Sequence, residues 1–152
     1  MYGAEVTGVD NTGKLDFMRS LGADHVIDYT CQDFTRNGKQ YDLILDLIAH
    51  RCVFDYNRAL KPNGTYFAVG GSVATLLEIL FLGPWIRFGT RKNLRILAVR
   101  RSRRNLEAIT ELCESGKVIP VIDRRYPLSE VPEALRYLGK GHAKGKLVIT
   151  VQ

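Results

Sequence analysis

Residues that cross-link or clamp a protein are scarce in this sequence. It has only three cysteines, which are far apart and form no CxxC pair: Cys31, Cys52 and Cys113. An odd, dispersed set is typical of reduced thiols and argues against a disulfide framework. The three histidines are equally dispersed, and none lies in an HExxH motif or a Cys/His cluster. The sequence therefore predicts no zinc site built from this chain alone.

Long apolar runs are also absent. The longest mostly apolar stretch, residues 73–86, contains Glu78 and a Gly83-Pro84 break. It is shorter than the roughly 18 residues that a membrane span requires. The first ten residues, MYGAEVTGVD, lack the basic, apolar and small-residue segments of a secretory signal. We therefore expect a cytoplasmic protein without membrane contact.

What is present suffices for one ordinary soluble domain. The 152 residues are 45% apolar and 25% charged, and a chain of this length buries about 68–70% of its unfolded surface. That composition excludes a disordered chain. With no internal repeat or linker, we expect a single domain over residues 1–152.

Positive charge is concentrated in one segment. The formal net charge is +6, yet residues 87–104 contain eight Lys and Arg and no acid, so the remainder is at −2. Such a cluster can bind a polyanion by releasing counterions, or it can be a solvated connection between two elements. The second interpretation is favoured, because residues 100–104 contain no aromatic side chain to stack on a base. Nucleic acid is therefore not expected as a partner.

Apolar runs alternate with helical patterns through the first half. Strands are predicted at 5–9, 25–28, 41–46 and 65–69, and helices at 15–21 and 53–60. The runs at 41–46 and 65–69 are almost continuously apolar, as in parallel strands buried on both faces. The alternation predicts right-handed βαβ crossovers and an α/β domain.

The second half is less regular. Residues 73–88 predict a buried or interface helix with a break at Gly83-Pro84, and Leu94 to Val99 predict a fifth strand. An amphipathic helix over 103–115 precedes a short extended piece at 120–123. Ser129 is a candidate N-cap for a further helix, and residues 146–151 predict a last strand.

One acidic residue points to a ligand. Asp10 directly follows the first predicted strand, and an acid at a strand end of a dinucleotide-binding fold can bind ribose hydroxyls. The same residue could instead cap the next helix. The sequence contains no GxGxxG, and Gly70-Gly71 lacks the third glycine.

Four segments carry a wider pattern: GAEVTGVDNTGKLDFMRSLGADHVIDY, YDLILD, RALKPNGTYFAVGG and GKVIPVIDRRYPLSEVPEALRYLGKGHAKGKLVITV. In this order they resemble the C-terminal part of a medium-chain dehydrogenase/reductase. The most similar branch is the quinone-oxidoreductase-like and zinc-type alcohol dehydrogenase-like group. The resemblance covers essentially all 152 residues.

The resemblance implies an α/β fold with a Rossmann-like parallel sheet and flanking helices. The family's strand order is 3-2-1-4-5-6, and the chain would be truncated, lacking strand 1, the glycine-rich loop and the N-terminal catalytic domain. Backbone groups left unpaired beside strand 1 would cost about 1–3 kcal/mol each. We therefore expect the gap to be closed, either by pairing residues 5–9 with 41–46 or by inserting residues 147–151.

The resemblance also assigns cofactor-binding residues. Asp10 matches the carboxylate that binds a free 2′-hydroxyl and repels a 2′-phosphate, which favours NAD(H) over NADP(H), although Lys14 is placed to approach such a phosphate. The other matches lie around the adenosine, under the nicotinamide ribose and near the phosphates: Asn11, Thr12 and Lys14; Tyr29; Val69, Gly70, Gly71 and Ser72; and Lys146. Each also has an ordinary structural explanation, as a turn, core aromatic or exposed cation.

One segment departs from the family. Residues 47–51 read Leu-Ile-Ala-His-Arg where a Val-Gly-Gly type of turn is common, so cofactor contact is not expected there. No triad of nucleophile, base and acid can be assembled, and metal ligands are lacking. We therefore assign no catalytic residue and no zinc.

Three functions are consistent with these residues. The first is the cofactor-binding part of an NAD(P)-dependent oxidoreductase, expected to bind NAD weakly or not at all and to be inactive alone; a small-molecule substrate would require the catalytic domain. The second is a non-catalytic remnant or interaction module. The third is a nucleic-acid binder. In the first two cases the resemblance implies a homodimer formed through the strand Leu94 to Val99.

Overall fold

The computed structural model describes residues 3–99 and 102–151, so Arg100 and Arg101 of the basic segment lie outside the described residues. Strands and helices alternate along the described chain, which confirms the α/β class. The elements are β1 (Thr7–Asp10), α1 (Leu15–Ser20), β2 (His25–Asp28), β3 (Tyr41–Asp46), α2 (Val53–Ala59), β4 (Leu60–Ala68), α3 (Val73–Thr90), β5 (Asn93–Ile96), α4 (Arg103–Glu114), β6 (Ile122–Pro127), α5 (Val131–Gly139) and β7 (Lys146–Thr150).

The chain divides into two compact units. One comprises Met1–Val26 with Arg101–Gln152, and the other Ile27–Arg100. A single domain over 1–152 remains a prediction, and each unit is described by itself.

The central unit is built on a parallel sheet of order β3-β4-β5. Its core lies between one face of this sheet and the helices α2 and α3. The buried apolar side chains that form it are Ala49, Val53, Tyr56, Leu60, Tyr66, Ala68, Ile79, Ile86 and Leu94. Alternate residues of β4 point into this core, as the two-residue period of a strand requires.

The opposite face of the sheet is less covered than the sequence indicated. Leu43 and Leu45 of β3 are 61% and 58% exposed, so burial of this strand on both faces is wrong. β3 is the last strand of its sheet, and α2 and α3 pack on the other side. A continuous apolar run therefore did not distinguish an edge strand from a central one.

The other unit contains the parallel pair β6-β7. Asp123 of β6 fixes the surrounding segments, because its Oδ2 accepts from the Tyr137 hydroxyl at 3.0 Å and from the Lys144 N–H at 2.9 Å. These hydrogen bonds hold the pKa of Asp123 below its usual value against a smaller effect of burial. In the same unit Gly8 of β1 lets α1 approach, since a Cβ there would lie 2.9 Å from the Met18 sulfur.

Within each sheet the strand order agrees with the family pattern. β1 pairs with β2, and β3, β4 and β5 follow in sequence. Neither expected closure occurs among the described residues: β1 forms no ladder with β3, and β7 pairs with β6. The final strand pairs with β6 because Gly145 brings the backbone against the Val121 carbonyl oxygen, which the Lys146 N–H contacts at 2.7 Å.

Four local expectations are also wrong. The fifth strand ends at Ile96 and not at Val99. α3 runs unbroken through Gly83-Pro84, because Gly83 packs against Leu94 of β5 and its neighbouring turns are held by buried Ile79 and Ile86. β4 begins at Leu60 and includes the Lys61-to-Gly64 segment, as a local irregularity. Ser129 does not cap α5; it lies in a 3-10 turn, and Glu130 occupies the N-cap.

A pair of glycines in α3 tests the close approach to β5. An alanine Cβ at position 83 would lie 3.1 Å from the Leu94 carbonyl oxygen, whereas at position 89 nothing lies within 4 Å. Gly89→Ala should stabilise the protein by about 1 kcal/mol through helix propensity. Gly83→Ala should lose that gain or destabilise the protein. Urea unfolding followed by circular dichroism measures both, and equal gains would contradict the packing.

Candidate functional site

The turn after β1 gathers four of the predicted cofactor residues. Asp10 ends β1, and its Oδ1 accepts from the Asn11 N–H at 2.8 Å. Asn11 in turn caps the 3-10 turn Thr12–Lys14, with its Oδ1 accepting from the Gly13 N–H at 3.0 Å. The chain is thus folded tightly around the Asp10 carboxylate by short-range hydrogen bonds.

Lys14 lies against this carboxylate. Its Nζ is 3.8 Å from Asp10 Oδ2, and the two side chains are 20% and 29% exposed respectively. One oxygen of the Asp10 carboxylate, Oδ2, thus faces the Lys14 ammonium group, and the other, Oδ1, accepts from the Asn11 N–H. The two hydroxyls of a ribose could donate hydrogen bonds to such a carboxylate. A 2′-phosphate would be attracted by Lys14 and repelled by the neighbouring Asp10 carboxylate.

Two predicted residues lie outside this turn. Tyr29 directly follows β2 and is 51% exposed, so the alternative of a core aromatic is wrong. Lys146 begins β7 with an exposed side chain. Among the described residues no hydrogen bond joins either of them to Asp10.

In the central unit, the predicted residues 69–72 form the turn after β4. Gly71 has φ +151°, and an added Cβ would lie 2.1 Å from the Ala49 carbonyl oxygen. The Val69 N–H donates to Asp46 O at 2.8 Å, and the Ser72 N–H donates to Ala49 O at 2.8 Å. Ser72 also caps α3, its Oγ accepting from the Thr75 N–H at 3.1 Å. This turn is therefore bonded along its length to the loop that follows β3.

Two buried tyrosines hold that loop in place. The Tyr56 hydroxyl accepts from the N–H groups of His50 and Arg51 at 3.2 and 3.1 Å, and the ring stacks on Tyr66 at 4.1 Å between centroids. The Tyr66 hydroxyl donates to Asp46 Oδ2 at 3.0 Å. Burial raises the pKa of both hydroxyls, so both stay protonated; the Tyr66 hydroxyl acts as a donor and the Tyr56 hydroxyl as an acceptor.

The tyrosine pair is the part of this region that sequence reasoning missed. Asp46 Oδ1 also accepts from the Ile48 N–H at 3.0 Å, so a single carboxylate joins β3, β4 and the loop. Asp46 is paired with Ala68, so Tyr66 lies two residues back on the adjacent strand, and only the sheet register reveals that the two side chains are close. The departure at residues 47–51 is therefore compatible with an ordered loop.

Zinc does not fit the described part of the chain. Within residues 3–99 and 102–151 no three His, Cys, Asp or Glu side chains converge, whereas a protein zinc site takes three or four such ligands.

A family profile described as zinc-binding dehydrogenase matches residues 21–149. The chain belongs to this family, within the medium-chain dehydrogenases/reductases. The match spans most of both units and confirms the family resemblance, and it begins after the Asp10–Lys14 turn. The family's descriptive name mentions zinc binding, but the described residues contain no cluster of zinc ligands.

Curated relatives are reductases of much greater length. The chain is 34% identical to the mitochondrial NAD(P)H oxidoreductase RTN4IP1 of Mus musculus, covering 99% of this chain and 42% of that protein. It is 33% identical to the chloroplastic NADPH-dependent alkenal/one oxidoreductase of Arabidopsis thaliana, covering 98% and 34%. The chain thus spans well under half the length of these relatives.

Solved structures give the same fold. A structure titled NAD-dependent alcohol dehydrogenase is 26% identical, with a TM-score of 0.78 over 99% of this chain and 45% of the other. The quinone oxidoreductase of Coxiella burnetii, at 24% identity, has a TM-score of 0.78 over 99% and 46%. These likenesses confirm the Rossmann-like class.

The Gly71 contact predicts a sharp difference between neighbouring glycines. Gly71→Ala would force a methyl group into the Ala49 carbonyl, whereas at Gly70 the nearest atom, the Leu47 carbonyl oxygen, is 3.3 Å away. Gly71→Ala should destabilise the protein by about 3 kcal/mol, and Gly70→Ala by less than about 1 kcal/mol. Thermal unfolding compares the two, and similar midpoints would contradict the tie between the two turns.

Proposed function

We propose that this chain is the cofactor-binding part of an NAD(P)H-dependent oxidoreductase, and that the turn Asp10–Lys14 binds the adenosine ribose. The observation that carries the proposal is the Asp10 carboxylate, held at the end of β1 by the Asn11 N–H and within 3.8 Å of Lys14. Membership of a family whose curated relatives are NAD(P)H oxidoreductases supports it.

The Asp10 carboxylate would accept hydrogen bonds from the ribose hydroxyls and would repel a 2′-phosphate, so NAD(H) is the preferred cofactor. Lys14 reduces this preference, because its ammonium group partly neutralises the carboxylate. The relative from Arabidopsis is named for NADPH. We therefore propose a modest discrimination in favour of NAD(H).

The turn after β4 has a different role. Gly71 lacks a side chain where the Ala49 carbonyl oxygen lies, so this turn can pack against the loop after β3. The backbone of residues 69–72 is the proposed contact for the nicotinamide ribose. Asp46 and the tyrosine pair position this turn without needing to touch the cofactor. Val69 and Ser72 flank the glycines and complete the proposed nicotinamide-side surface. Tyr29 and Lys146 remain proposed contacts for the adenosine and the phosphates.

A bound nicotinamide would supply the hydride for reducing a carbonyl, enone or quinone. No acid, base or nucleophile is assigned in this chain, so turnover is proposed for the whole protein and not for these 152 residues alone. Cytoplasmic location is likewise a proposal, since the relatives named above are mitochondrial and chloroplastic.

The Asp10 turn predicts the cofactor selectivity of the isolated chain. NADH should bind with a dissociation constant in the millimolar range, about −4 kcal/mol, and NADPH more weakly. Asp10→Ala should abolish the difference by removing both the hydroxyl acceptor and the charge. Saturation-transfer NMR with the two cofactors measures the ratio.

The matched control for this experiment is Asp16→Ala. Asp16 lies on α1, two residues beyond Lys14, and is fully exposed in an ion pair with Arg19. The Asp16→Ala substitution removes the same charge without touching the turn, so the preference for NADH over NADPH should persist. Equal loss in both variants, or NADPH preferred by the unmodified chain, would contradict the assignment.

The alternative function, a dimerising module without cofactor, is favoured by the free edge of β5. This strand pairs only with β4 among the described residues, and Ile96 is 41% exposed. Edges of this kind recruit a second strand. A homodimer through the segment from Leu94 to Val99 is compatible with either function, and static light scattering should give twice the chain mass at micromolar concentration. A monomer would contradict it.

A further inference from the structure

The outer face of α3 is apolar along its whole length. Six side chains at helical spacing line it: Val73, Leu77, Phe81, Pro84, Trp85 and Phe88. Trp85 is 78% exposed and Phe88 94%. The opposite face of the same helix packs Thr75, Ile79 and Ile86 into the core. A helix that is apolar all round is normally covered on every side, and this one is covered on only one.

The helix passes the length and hydropathy criteria for a membrane span, yet the structure assigns it another place. Only 22% of α3 is buried. The buried side chains belong to the main core of the central unit and pack against β5 and α2. Inserting α3 across a bilayer would strip Ile79 and Ile86 from that core. A helix fixed by one face can instead lie flat on a surface with its other face.

The positive charge beside this face favours an anionic surface as its partner. From residue 79 to residue 106 the sequence contains no acid. Arg87 lies in the last turn of α3, and Arg91 caps its C-terminus; neither makes an ion pair with a described residue. The nearest acid on the helix, Glu78, is already engaged by the Val53 N–H at 3.0 Å. Unpaired arginines beside exposed aromatic rings suit a boundary between apolar chains and anionic headgroups.

A second copy of this chain is a poorer occupant. Two α3 helices packed antiparallel would place the arginines of one copy against the positive end of the other helix dipole, and packed parallel they would place arginines against arginines. The basic segment also lacks acidic side chains that could reciprocate. Self-association through this face would therefore oppose like charges.

We propose that the outer face of α3 docks this protein on an anionic lipid surface, with the aromatic side chains entering the headgroup boundary and Arg87 and Arg91 contacting lipid phosphates or carboxylates. The sequence predicted no membrane contact because the apolar stretch at residues 73–86 is shorter than a membrane span. Docking in the plane of the surface needs no span. The cofactor turn plays no part in this proposal.

The chain carries its own reporter, because Trp85 is its single tryptophan and lies on the proposed surface. The 152-residue chain is mixed with vesicles of phosphatidylcholine containing roughly 30% phosphatidylserine, and with vesicles of phosphatidylcholine alone. We expect a blue shift of the tryptophan emission and protection from acrylamide with the anionic vesicles, weakened by salt. No shift, or equal binding to both vesicles, would overturn the proposal.

Two sets of variants separate the apolar and electrostatic contributions. Phe81→Ser with Phe88→Ser should weaken vesicle binding roughly tenfold or more, and Arg87→Gln with Arg91→Gln roughly fivefold for each arginine. The controls are Leu106→Ser with Leu135→Ser, which are exposed on α4 and α5, and Lys117→Gln with Arg136→Gln. Controls that weaken binding as much as the α3 variants would overturn the proposal.

Circular dichroism checks that each variant is folded, and Phe88→Ser alone, at the most exposed position, provides the fallback. Light scattering and titration with duplex DNA cover the competing occupants. If the phenylalanine variant converts a dimer to a monomer while vesicles leave the unmodified chain unbound, a second copy occupies the face. If DNA binds and vesicles do not, the basic segment is a nucleic-acid surface. Either result contradicts lipid docking.

Discussion

The loop and turn that end β3 and β4 depend on two buried phenols. Tyr56 satisfies two backbone N–H groups of the loop, and Tyr66 anchors Asp46, whose other oxygen holds Ile48. Burying a polar group is costly unless it has a hydrogen-bond partner. This network supplies partners for the loop N–H groups and for the Asp46 carboxylate. The close contact of Gly71 with Ala49 is possible because that loop is fixed in place.

The two proposed cofactor segments are thus ordered by different means. The Asp10 turn relies on local hydrogen bonds from neighbours in sequence. The family resemblance indicated the residues of both turns, but not how either turn is held. The Gly70-Gly71 turn relies on contacts between residues about twenty positions apart. It is positioned by the sheet, and substitutions in its supporting tyrosines would disturb it without touching a ligand.

Sequence patterns predicted those features that short-range physics determines. The strand His25–Asp28 and the helix from Val53 have the expected bounds within a residue, and Gly22 with φ +94° lies just past the end of α1. Pairing between distant strands was not predictable: β7 joined β6, and β3 became an edge. The continuity of α3 through Pro84 likewise depends on Gly83 meeting β5, a contact that local pattern does not encode.

The central claim is that the Asp10 turn binds the adenosine ribose of a nicotinamide cofactor. Amide NMR of the chain during NADH titration tests it at the level of single residues. The account predicts saturable shifts at the N–H groups of Asn11, Gly13 and Lys14, abolished by Asp10→Ala. Shifts confined to other residues, or none at tens of millimolar cofactor, would contradict it.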